Sequence, residues 1–568
     1  MSDYYSIKIA GEAGMGIKST GQSLYKYLNS LGYYIYNYLE YPSLIRGGHN
    51  VSQIIFSPNH IRSPRVVDHA LIALDQNSLN LHSKEIIEDG FIIHDSESEF
   101  TIPSNTKATP ISIPIKKLGR ESEVGDIGQN IVALGCLVYL FGGGLAFLDE
   151  QIKRQFSKKP NLIEPNQRAL QLGFDYAAKN FTKFQKAIFT SQNQDNKNIV
   201  VDGNEAIGLG AISGGLDFSA IYPMSPISNL LHFLAKSKEK YGFIYKQVED
   251  EIAAINMCIG ASFAGARVLT ATSGGGFSLM SEAVGLAGIT ETPIVIVEGM
   301  RGGPATGLPT WSEQGDLRFV MHAHQGEFPR IVLTPGDNKE AFLSTHLALN
   351  LAAKYQCPVI VLVDKNICDH PQSQFIDNQN LPIEYGEIVT NQVENYLRYQ
   401  DSTTGISPRS FPGHGNFFVA NSDEHDEKGF SSEEIIDRNT QHSKRMRKLD
   451  RYDPKDLLNP VLYGPRAADL TLVGWGSTKG PVLDALQYLP NTNFVHIPQV
   501  LPFPTDSLTK LLLESKRLID IENNSTAQMA GVIREYTGIQ IKEKILKNDG
   551  RPFFPEEIIN RINTSLIT

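Results

Sequence analysis

Cysteine is scarce in this sequence. Among 568 residues there are four cysteines, Cys136, Cys258, Cys357 and Cys368, and no two of them have the CxxC spacing of a metal-binding motif. A zinc ribbon or a complete iron–sulfur site formed by this chain alone is therefore disfavoured. We expect each cysteine to be a small buried apolar residue and predict no metal site.

Basic residues are fewer than acidic residues. The chain has 52 Lys and Arg residues against 62 Asp and Glu residues, which gives a net charge of -10 and a pI near 5.8. A nucleic-acid-binding surface requires a basic stripe, so small molecules or other subunits are the expected partners. The first residues lack the basic and then apolar pattern of a signal peptide, so the cytoplasm is the expected location.

Long uncharged runs are rare, and a single one has the length of a bilayer span. The run IGQNIVALGCLVYLFGGGLAFL occupies residues 127–148. Gln129, Asn130 and three consecutive glycines at 142–144 interrupt it, and the charged stretch DEQIKRQFSKK follows. We therefore predict two short helices, the first buried under a sheet, and no membrane segment.

The length predicts several domains, because one hydrophobic core seldom serves 568 residues. Strand-like runs alternate with helical patterns, and the runs TPIVIVEGM and PVIVLVD are typical of parallel strands covered on both faces. We predict an α/β protein with mainly parallel sheets. The expected parts are α/β domains at 1–185, 195–370 and 466–568, with an irregular connector at 371–465.

A glycine-rich loop follows the first predicted strand. Gly11, Gly14 and Gly16 lie between the strand YSIKIAG and a helical pattern, an order that suits a phosphate at a helix N-terminus. No Lys-Ser or Lys-Thr pair follows at P-loop spacing, and a tight turn without a ligand explains the glycines equally well. The similar GWGSTKG at 474–480 is better explained as a turn.

The segment 246–266, KQVEDEIAAINMCIGASFAGA, predicts a helix that is apolar nearly all round and therefore buried. Glu249, Asp250 and Glu251 lie at its first turn, where the helix dipole favours acidic side chains. Glu251 leads directly into the apolar part and would lose its hydration, which is costly without a partner. This makes Glu251 a candidate functional residue.

Three further motifs could form a binding site. Gly274, Gly275 and Gly276 allow a ligand to approach the main chain, although a compact turn is an alternative. The proline-bracketed YPMSP at 222–226 either fixes the Ser225 hydroxyl or forms a rigid turn. Arg301 follows an apolar strand, where ligands of parallel sheets collect, and suits a carboxylate, with a structural ion pair as the alternative.

Taken in order, these motifs resemble a known family. The motifs YPMSP, EDEIAAINM, TSGGGFSLMSE, RGGPATGLPT, QGD, GISPRSFPG and EHDEKG resemble the alpha subunit of 2-oxoacid:ferredoxin oxidoreductases of the 2-oxoglutarate type. GEAGMG and YPSLIRGGHN resemble the gamma domain of that family, here fused in front of alpha. DIENNSTAQMAG resembles its terminal, transketolase-C-like domain of Rossmann type. The resemblance covers nearly the whole chain.

The resemblance implies an enzyme that decarboxylates a 2-oxo acid oxidatively to an acyl-CoA and CO2. It implies thiamine diphosphate shared with a beta subunit, with residues 195–370 as the pyrimidine-binding domain. Mg2+ and a [4Fe–4S] cluster are expected in the beta subunit, coenzyme A as co-substrate and ferredoxin as electron acceptor. An alpha–beta heterodimer, or a dimer of it, is the expected assembly.

The resemblance also assigns roles to residues. Glu251 corresponds to the catalytic glutamate that contacts the aminopyrimidine ring, and Ser225 stands where the family usually has threonine. The other expected cofactor contacts are Tyr222, Pro223, Gly274 and Gly275. The expected substrate-binding residues are Ser225, Arg301 and Thr310. Gly11, Gly14, Gly16 and Arg46 form a loop that is either a coenzyme A site or purely structural.

Two other functions remain compatible with the sequence. One is a different thiamine-dependent enzyme, such as an indolepyruvate-type oxidoreductase or a non-redox decarboxylase. The other is a nucleotide-binding regulatory protein that uses the glycine loops.

Overall fold

The computed structural model describes residues 4–44, 47–125, 128–192, 197–377 and 379–565. The chain forms two compact units. Unit 1 comprises the residues up to Val201 together with His370–Phe375 and Phe554–Asn560. Unit 2 comprises Asp202–Asp369, Ile376–Phe553 and the residues from Arg561. Both units are α/β, which confirms the predicted fold class, whereas the four predicted segment boundaries stay predictions.

Unit 1 is built on one mixed sheet. Its strands are β1 (Tyr5–Glu12), β2 (Tyr34–Glu40), β3 (His49–Ser57), β4 (Asp68–Ala73), β5 (Ile86–Asp95), β6 (Thr109–Ile113), β7 (Ile199–Val201) and β14 (Gln372–Gln374). Their order is β6-β5-β4-β1-β3-β2-β14-β7. The first four strands of this order run parallel, whereas β3, β2, β14 and β7 pair in antiparallel fashion.

The helices of unit 1 follow the predicted pattern. They are α1 (Ile17–Ser30), α2 (Gln76–His82), α3 (Ile115–Glu121), α4 (Gln129–Leu140), α5 (Ala146–Gln155) and α6 (Ile163–Asn180). The long uncharged run gives α4 and the start of α5, as two separate helices, and α4 is buried in the apolar core. Among the residues that the structure describes, no helix is long and apolar enough to cross a membrane.

Unit 2 contains the remaining elements up to residue 553. The helices are α7 (Gly203–Ser213), α8 (Ser228–Tyr241), α9 (Glu251–Phe263), α10 (Gly274–Ile289), α11 (Leu317–His322), α12 (Asn338–Tyr355), α13 (Lys365–Asp369), α14 (Ile435–Asp450), α15 (Lys479–Leu486), α16 (Thr505–Leu513) and α17 (Gln528–Thr537). The strands are β8 (Phe218–Ile221), β9 (Ile244–Gln247), β10 (Val268–Thr272), β11 (Ile294–Met300), β12 (Ile331–Leu333), β13 (Pro358–Asp364), β15 (Val461–Tyr463), β16 (Leu470–Trp475), β17 (Thr492–Ile497), β18 (Gln499–Leu501), β19 (Leu518–Glu522) and β20 (Glu543–Leu546). A last helix, α18 (Pro555–Ser565), begins in unit 1.

Two mainly parallel sheets organise unit 2. The larger has the order β18-β12-β13-β11-β10-β8-β9, and all its pairs are parallel except β12 with β18. The smaller has the order β15-β17-β16-β19-β20, in which β15 alone is antiparallel to its neighbour. The apolar runs that predicted parallel strands form β10, β11, β12 and β13, and the prediction is confirmed.

One apolar core joins the two sheets of unit 2. Ile296 and Ile360 of the larger sheet belong to the same buried cluster as Val473, Trp475 and Val495 of the smaller sheet. All five side chains are inaccessible to solvent. Because side chains of both sheets belong to one buried cluster, the two sheets pack against one another. The four cysteines are buried and unpaired, as predicted.

A buried ionic cluster anchors the connector to the larger sheet's domain. The carboxylate of Glu291, just after α10, accepts hydrogen bonds from Lys444 at 2.6 and 2.8 Å and forms an ion pair with Lys448 at 2.7 Å. All three side chains are fully buried. Burial alone would raise the pKa of Glu291, but the two lysines and Arg398 hold it well below its ordinary value.

Replacement of Glu291 should destabilise unit 2. In Glu291→Ala two buried lysines lose their counter-charge, which is expected to lower the free energy of unfolding by about 3–5 kcal/mol. Thermal unfolding followed by circular dichroism measures the effect. Asp469→Ala, which removes an exposed ion pair with Lys516, is the control and should leave the midpoint unchanged. Equal midpoints for the two variants would contradict the anchoring role.

Candidate active site

The carboxylate of Glu251 lies buried at the start of α9. Asp250 precedes it as the helix N-cap, and its side chain accepts a hydrogen bond from the Ala253 main-chain N–H at 2.7 Å. Glu251 is 3% exposed, and its Oε1 atom has no hydrogen-bond partner in the described part of the chain. The sequence prediction of a desolvated carboxylate is therefore confirmed, and a polar atom is available there for a ligand.

The glycines of α10 make room for acidic side chains. A Cβ on Gly276 would lie 2.5 Å from Glu251 Oε1, and one on Gly274 would lie 2.5 Å from Asp316 Oδ2. At Gly275 the nearest atom is the Ala305 oxygen at 4.0 Å, so its Cα faces open space. Two carboxylates thus lie at the first turn of α10, where the helix dipole stabilises negative charge.

One prediction about α9 is wrong. The helix was expected to be buried nearly all round, but Ile252 is 52% and Met257 is 41% exposed, and Asn256 and Gly260 are exposed as well. The neighbouring α10 exposes Leu279. Apolar periodicity does not distinguish a helix that its own chain buries on all sides from a helix with one apolar face that this chain leaves exposed.

Arg301 lies directly after β11 and points toward the YPMSP segment. Its Nη1 donates a hydrogen bond to the main-chain carbonyl of Ser225 at 2.8 Å. The contact is therefore with the carbonyl of Ser225 rather than with its hydroxyl. In the described residues Arg301 makes no ion pair, which argues against the structural alternative. Partial burial lowers the pKa of its guanidinium, which Glu298 and Asp316 partly offset.

The segment after Arg301 is a tight loop. Gly302 and Leu308 form an isolated antiparallel bridge, with the Leu308 N–H bonded to the Gly302 carbonyl at 2.7 Å. Gly307 has a φ of 53°, and a Cβ there would lie 1.9 Å from the Gly302 oxygen, so only glycine fits. Thr310 is 5% exposed, and its hydroxyl has no partner among the described residues.

Three further acids near Arg301 were missed by the sequence analysis. Glu298, Asp316 and Asp364 lie at the carboxyl ends of β11 and β13 or in the loop that follows, and Glu298 and Asp364 are fully buried. Burial, and then repulsion from Asp316, raises the pKa of Glu298; burial raises that of Asp364 to about 6. For Glu298 the sequence did hold a signal. This acid stands two residues after Ile296 in an apolar strand, and therefore on the same buried face of the sheet.

The remaining predicted residues are divided between the two units. Tyr222 and Pro223 follow β8 in unit 2, at the same sheet edge as Arg301. Gly11 lies near the end of β1 in unit 1, and Gly14 and Gly16 follow that strand. Arg46 lies outside the described residues.

Packing explains two of the three loop glycines in unit 1. A Cβ on Gly11 would lie 3.0 Å from the Leu74 side chain, and one on Gly16 would lie 2.4 Å from Asn130. Gly14 and Gly16 have φ values of 96° and 75°. A ligand is not required to explain Gly11 or Gly16, which weakens the nucleotide-binding alternative.

Family models match two long parts of the chain. Residues 209–445 match the model described as pyruvate flavodoxin/ferredoxin oxidoreductase, thiamine diphosphate-binding. Residues 6–176 match the model described as pyruvate ferredoxin/flavodoxin oxidoreductase. The first match contains Glu251, Arg301 and Thr310, and the second contains the glycine loop.

Full-length relatives agree with these models. The alpha subunit of a Sulfolobus 2-oxoacid:ferredoxin oxidoreductase is 32% identical over 97% of this chain and 95% of its own length. The Mycobacterium tuberculosis 2-oxoglutarate oxidoreductase subunit KorA is 28% identical over 99% and 91%.

A solved structure is similar throughout. It is the 2-oxoglutarate:ferredoxin oxidoreductase from Magnetococcus marinus with 2-oxoglutarate, coenzyme A and succinyl-CoA bound. It is 32% identical, has a TM-score of 0.90 and covers 100% of both chains. The two family-model matches and the relatives of similar length lead to one conclusion. The chain belongs to the alpha subunits of the 2-oxoacid:ferredoxin oxidoreductases, with a gamma-type domain fused at its N-terminal side.

Proposed function

We propose that this chain, together with a beta subunit, catalyses the coenzyme A-dependent oxidative decarboxylation of 2-oxoglutarate. The observation that carries the proposal is the buried Oε1 of Glu251, which lies against the main chain of Gly276 and has no hydrogen-bond partner in the part of the chain that the structure describes. An unsatisfied buried carboxylate costs free energy in the isolated chain, and a ligand that donates a hydrogen bond removes that cost. The likeness to enzymes that act on 2-oxoglutarate supports the choice of substrate.

The residues present fit the pyrimidine side of thiamine diphosphate. Glu251 would accept a hydrogen bond from a ring nitrogen, and the open space beside Gly275 admits a planar ring close to the main chain. Tyr222 and Pro223 are placed by β8 at the same edge of the sheet. When bound, thiamine diphosphate supplies a carbon nucleophile and then stabilises the negative charge left by the departure of CO2.

In this proposal, Glu251 determines where a proton is held on the bound pyrimidine ring. By accepting a hydrogen bond, Glu251 would hold a proton on the ring nitrogen that faces it, which would favour the form of the ring that can act as a base. The dipole of α10 keeps negative charge on Glu251 favourable. Its burial excludes water, which strengthens the interaction.

Arg301 and its neighbours bind the substrate. The guanidinium retains donors beyond the one bonded to Ser225, and a planar fork suits a carboxylate. The hydroxyls of Thr310 and Ser225 would bind the remaining oxygens, with the unpartnered Thr310 hydroxyl as the stronger candidate. The effect of Arg301 is mainly one of orientation, because a fixed carboxylate places the 2-oxo group for attack.

The exposed face of α9 and α10 is the proposed docking surface for the beta subunit. Ile252, Met257 and Leu279 are large, apolar and about half exposed, and they lie on the two helices whose first turns hold the site. A partner seated there would cover an apolar surface and close the open side beside Gly275. The surface also explains why α9 has a second apolar face.

Other properties follow from the family rather than from the geometry. Mg2+ and a [4Fe–4S] cluster belong to the beta subunit in this proposal, ferredoxin accepts the electrons, and an alpha–beta heterodimer or its dimer is the assembly. The glycine loop of unit 1, with Arg46, is the candidate coenzyme A site. The cytoplasm is the proposed location.

The role of Glu251 is tested by a charge-neutral replacement. Glu251→Gln should lower turnover by at least about tenfold, because the amide is a poorer acceptor for the ring proton. The assay is viologen reduction by the chain co-expressed with its beta subunit. The exposed neighbour Glu249 provides the control Glu249→Gln, which should keep wild-type turnover. Near-normal turnover in Glu251→Gln would refute the role.

The role of Arg301 is tested through substrate saturation. Arg301→Ala should raise the apparent KM for 2-oxoglutarate on the order of tenfold or more, since a carboxylate loses its charged partner. The variant Arg534→Ala, which alters an exposed arginine of α17, should saturate like the wild type. Unchanged saturation in Arg301→Ala would exclude carboxylate docking. Comparison of 2-oxoglutarate, pyruvate and 2-oxobutyrate identifies the preferred substrate.

The docking surface is tested by adding charge. Met257→Glu should abolish co-purification with the beta subunit, because a carboxylate buried in an apolar interface loses its hydration. The control is Leu513→Glu, a change at a side chain that is 72% exposed on α16. Size-exclusion chromatography of the co-expressed chains is the measurement. A heteromer that survives Met257→Glu would place the interface elsewhere.

A further inference from the structure

Gln314 is a buried residue whose main-chain and side-chain nitrogen and oxygen atoms each make a hydrogen bond. It is 0% exposed. Its main-chain N–H donates to the Asn523 carbonyl at 2.7 Å, and the Asn523 N–H donates to Gln314 Oε1 at 2.8 Å. Gln314 Nε2 donates to the Trp475 carbonyl at 2.9 Å, and Asn524 Nδ2 donates to the Gln314 carbonyl at 3.1 Å. The residue thus joins the loop after Arg301 to two strand ends of the smaller sheet.

More bonds attach the neighbours of Gln314 to the loop after β20 and to α17, which adjoin the same sheet. The Ser312 N–H donates to the Gly550 carbonyl at 2.9 Å. Gln528 at the start of α17 donates to the Gly315 carbonyl at 2.6 Å and accepts from the Arg318 N–H at 2.9 Å. We name residues 312–318 the clamp segment.

The partners of the clamp segment are themselves fixed. Asn523 Nδ2 donates to the Lys547 and Arg551 carbonyls at 3.0 and 3.2 Å. Asn524 Nδ2 also donates to Glu522 Oε2 at 2.7 Å. Gly476 has a φ of 53°, and a Cβ there would lie 2.7 Å from Gln314 Nε2, so that position admits no larger residue without displacing the glutamine. The strand ends therefore form a rigid receptor for Gln314.

The clamp segment continues directly from the loop 301–311, which contains Arg301 and Thr310 and is closed by hydrogen bonds. The Gly302 N–H donates to the Trp311 carbonyl at 3.3 Å, and the Trp311 N–H donates to the Leu308 carbonyl at 3.1 Å. Thr310 lies between these bonded residues, and Arg301 immediately precedes Gly302. This loop contains no helix or strand, so its place depends on the contacts at its two ends, and the bonds within it carry a shift at one end through to Thr310. One end is β11, and the other is the clamp segment.

We propose that Gln314 is a positioning residue through which the smaller sheet sets the place of Arg301 and Thr310, and with it the selectivity for the 2-oxo acid. The proposal rests on the proposed function, in which Arg301 and Thr310 bind substrate. It assigns a role to the terminal α/β part of the chain, which otherwise contributes no proposed site residue. It also explains why the motifs QGD, GWGSTKG and DIENN, far apart in the sequence, meet in the fold.

The test is steady-state kinetics of the co-expressed heteromer with 2-oxoglutarate and with pyruvate. Gln314→Met keeps the length of the side chain but removes its donor and its acceptor. It should raise KM for 2-oxoglutarate at least about fivefold while kcat stays within about twofold, and lower the preference for 2-oxoglutarate over pyruvate. The control Gln487→Leu, at an exposed glutamine of the same sheet's domain, should match the wild type in both substrates.

A second variant covers a failure of Gln314→Met to fold. Gln528→Ala removes two bonds to the clamp segment from a partly exposed position, and should shift KM and selectivity in the same direction by a smaller factor. Wild-type KM and selectivity in the variants that fold would overturn the proposal. So would a fall in kcat at unchanged KM, since that would place the effect on the cofactor.

Arg301→Ala is measured in parallel so that two failures can be told apart. If Arg301→Ala raises KM but the Gln314 and Gln528 variants do not, the positioning role alone is wrong. If Arg301→Ala leaves KM unchanged, the substrate role of the loop is wrong, and the positioning role falls with it.

Discussion

The candidate site depends on one costly arrangement, a carboxylate that is buried at a helix start and whose Oε1 has no hydrogen-bond partner among the described residues. Glu251 is tolerable there because two elements are shaped around it. Gly276 leaves room for its oxygen against the main chain, and the first turn of α10 offers a favourable dipole. The strand order places this turn next to β8 and β11, so the ends of three neighbouring strands contribute to one edge. In the proposed function, a ligand that donates a hydrogen bond to Oε1 removes this cost, so ligand binding is expected to stabilise this edge of the sheet.

Around that edge, unit 2 separates the tasks of its parts. The larger sheet supplies the acid and the arginine, α9 and α10 present an apolar surface outward, and the smaller sheet holds the loop between them. Each part is attached to its neighbour by buried polar contacts, at Gln314 on one side and at Glu291 on the other. Such contacts are direction-dependent, unlike apolar packing, and so define one arrangement among many of similar burial.

Much of this was predictable from the sequence where the signal was local. Plain apolar runs gave the parallel strands, and a charged residue on the border of an apolar helix gave Glu251. Arg301 followed from its place after a strand. The pairing of β7 with β14 was not foreseen, because each strand is three residues long and the two are far apart in the sequence. The exposed face of α9 and the contacts of Gln314 were missed for related reasons. Periodicity does not identify the molecule that covers an apolar face, and a buried glutamine in a loop carries no local signature.

The apolar core that the two sheets of unit 2 share limits where this chain can be divided. Trp475, Val495 and Met529 are fully buried and belong to one cluster with apolar side chains from residues 254–362. Cutting the chain near residue 465 would leave two fragments, each with a large exposed apolar surface that favours aggregation. The terminal α/β part therefore cannot be swapped between relatives by itself. The apolar surface that it packs against has to be exchanged together with it.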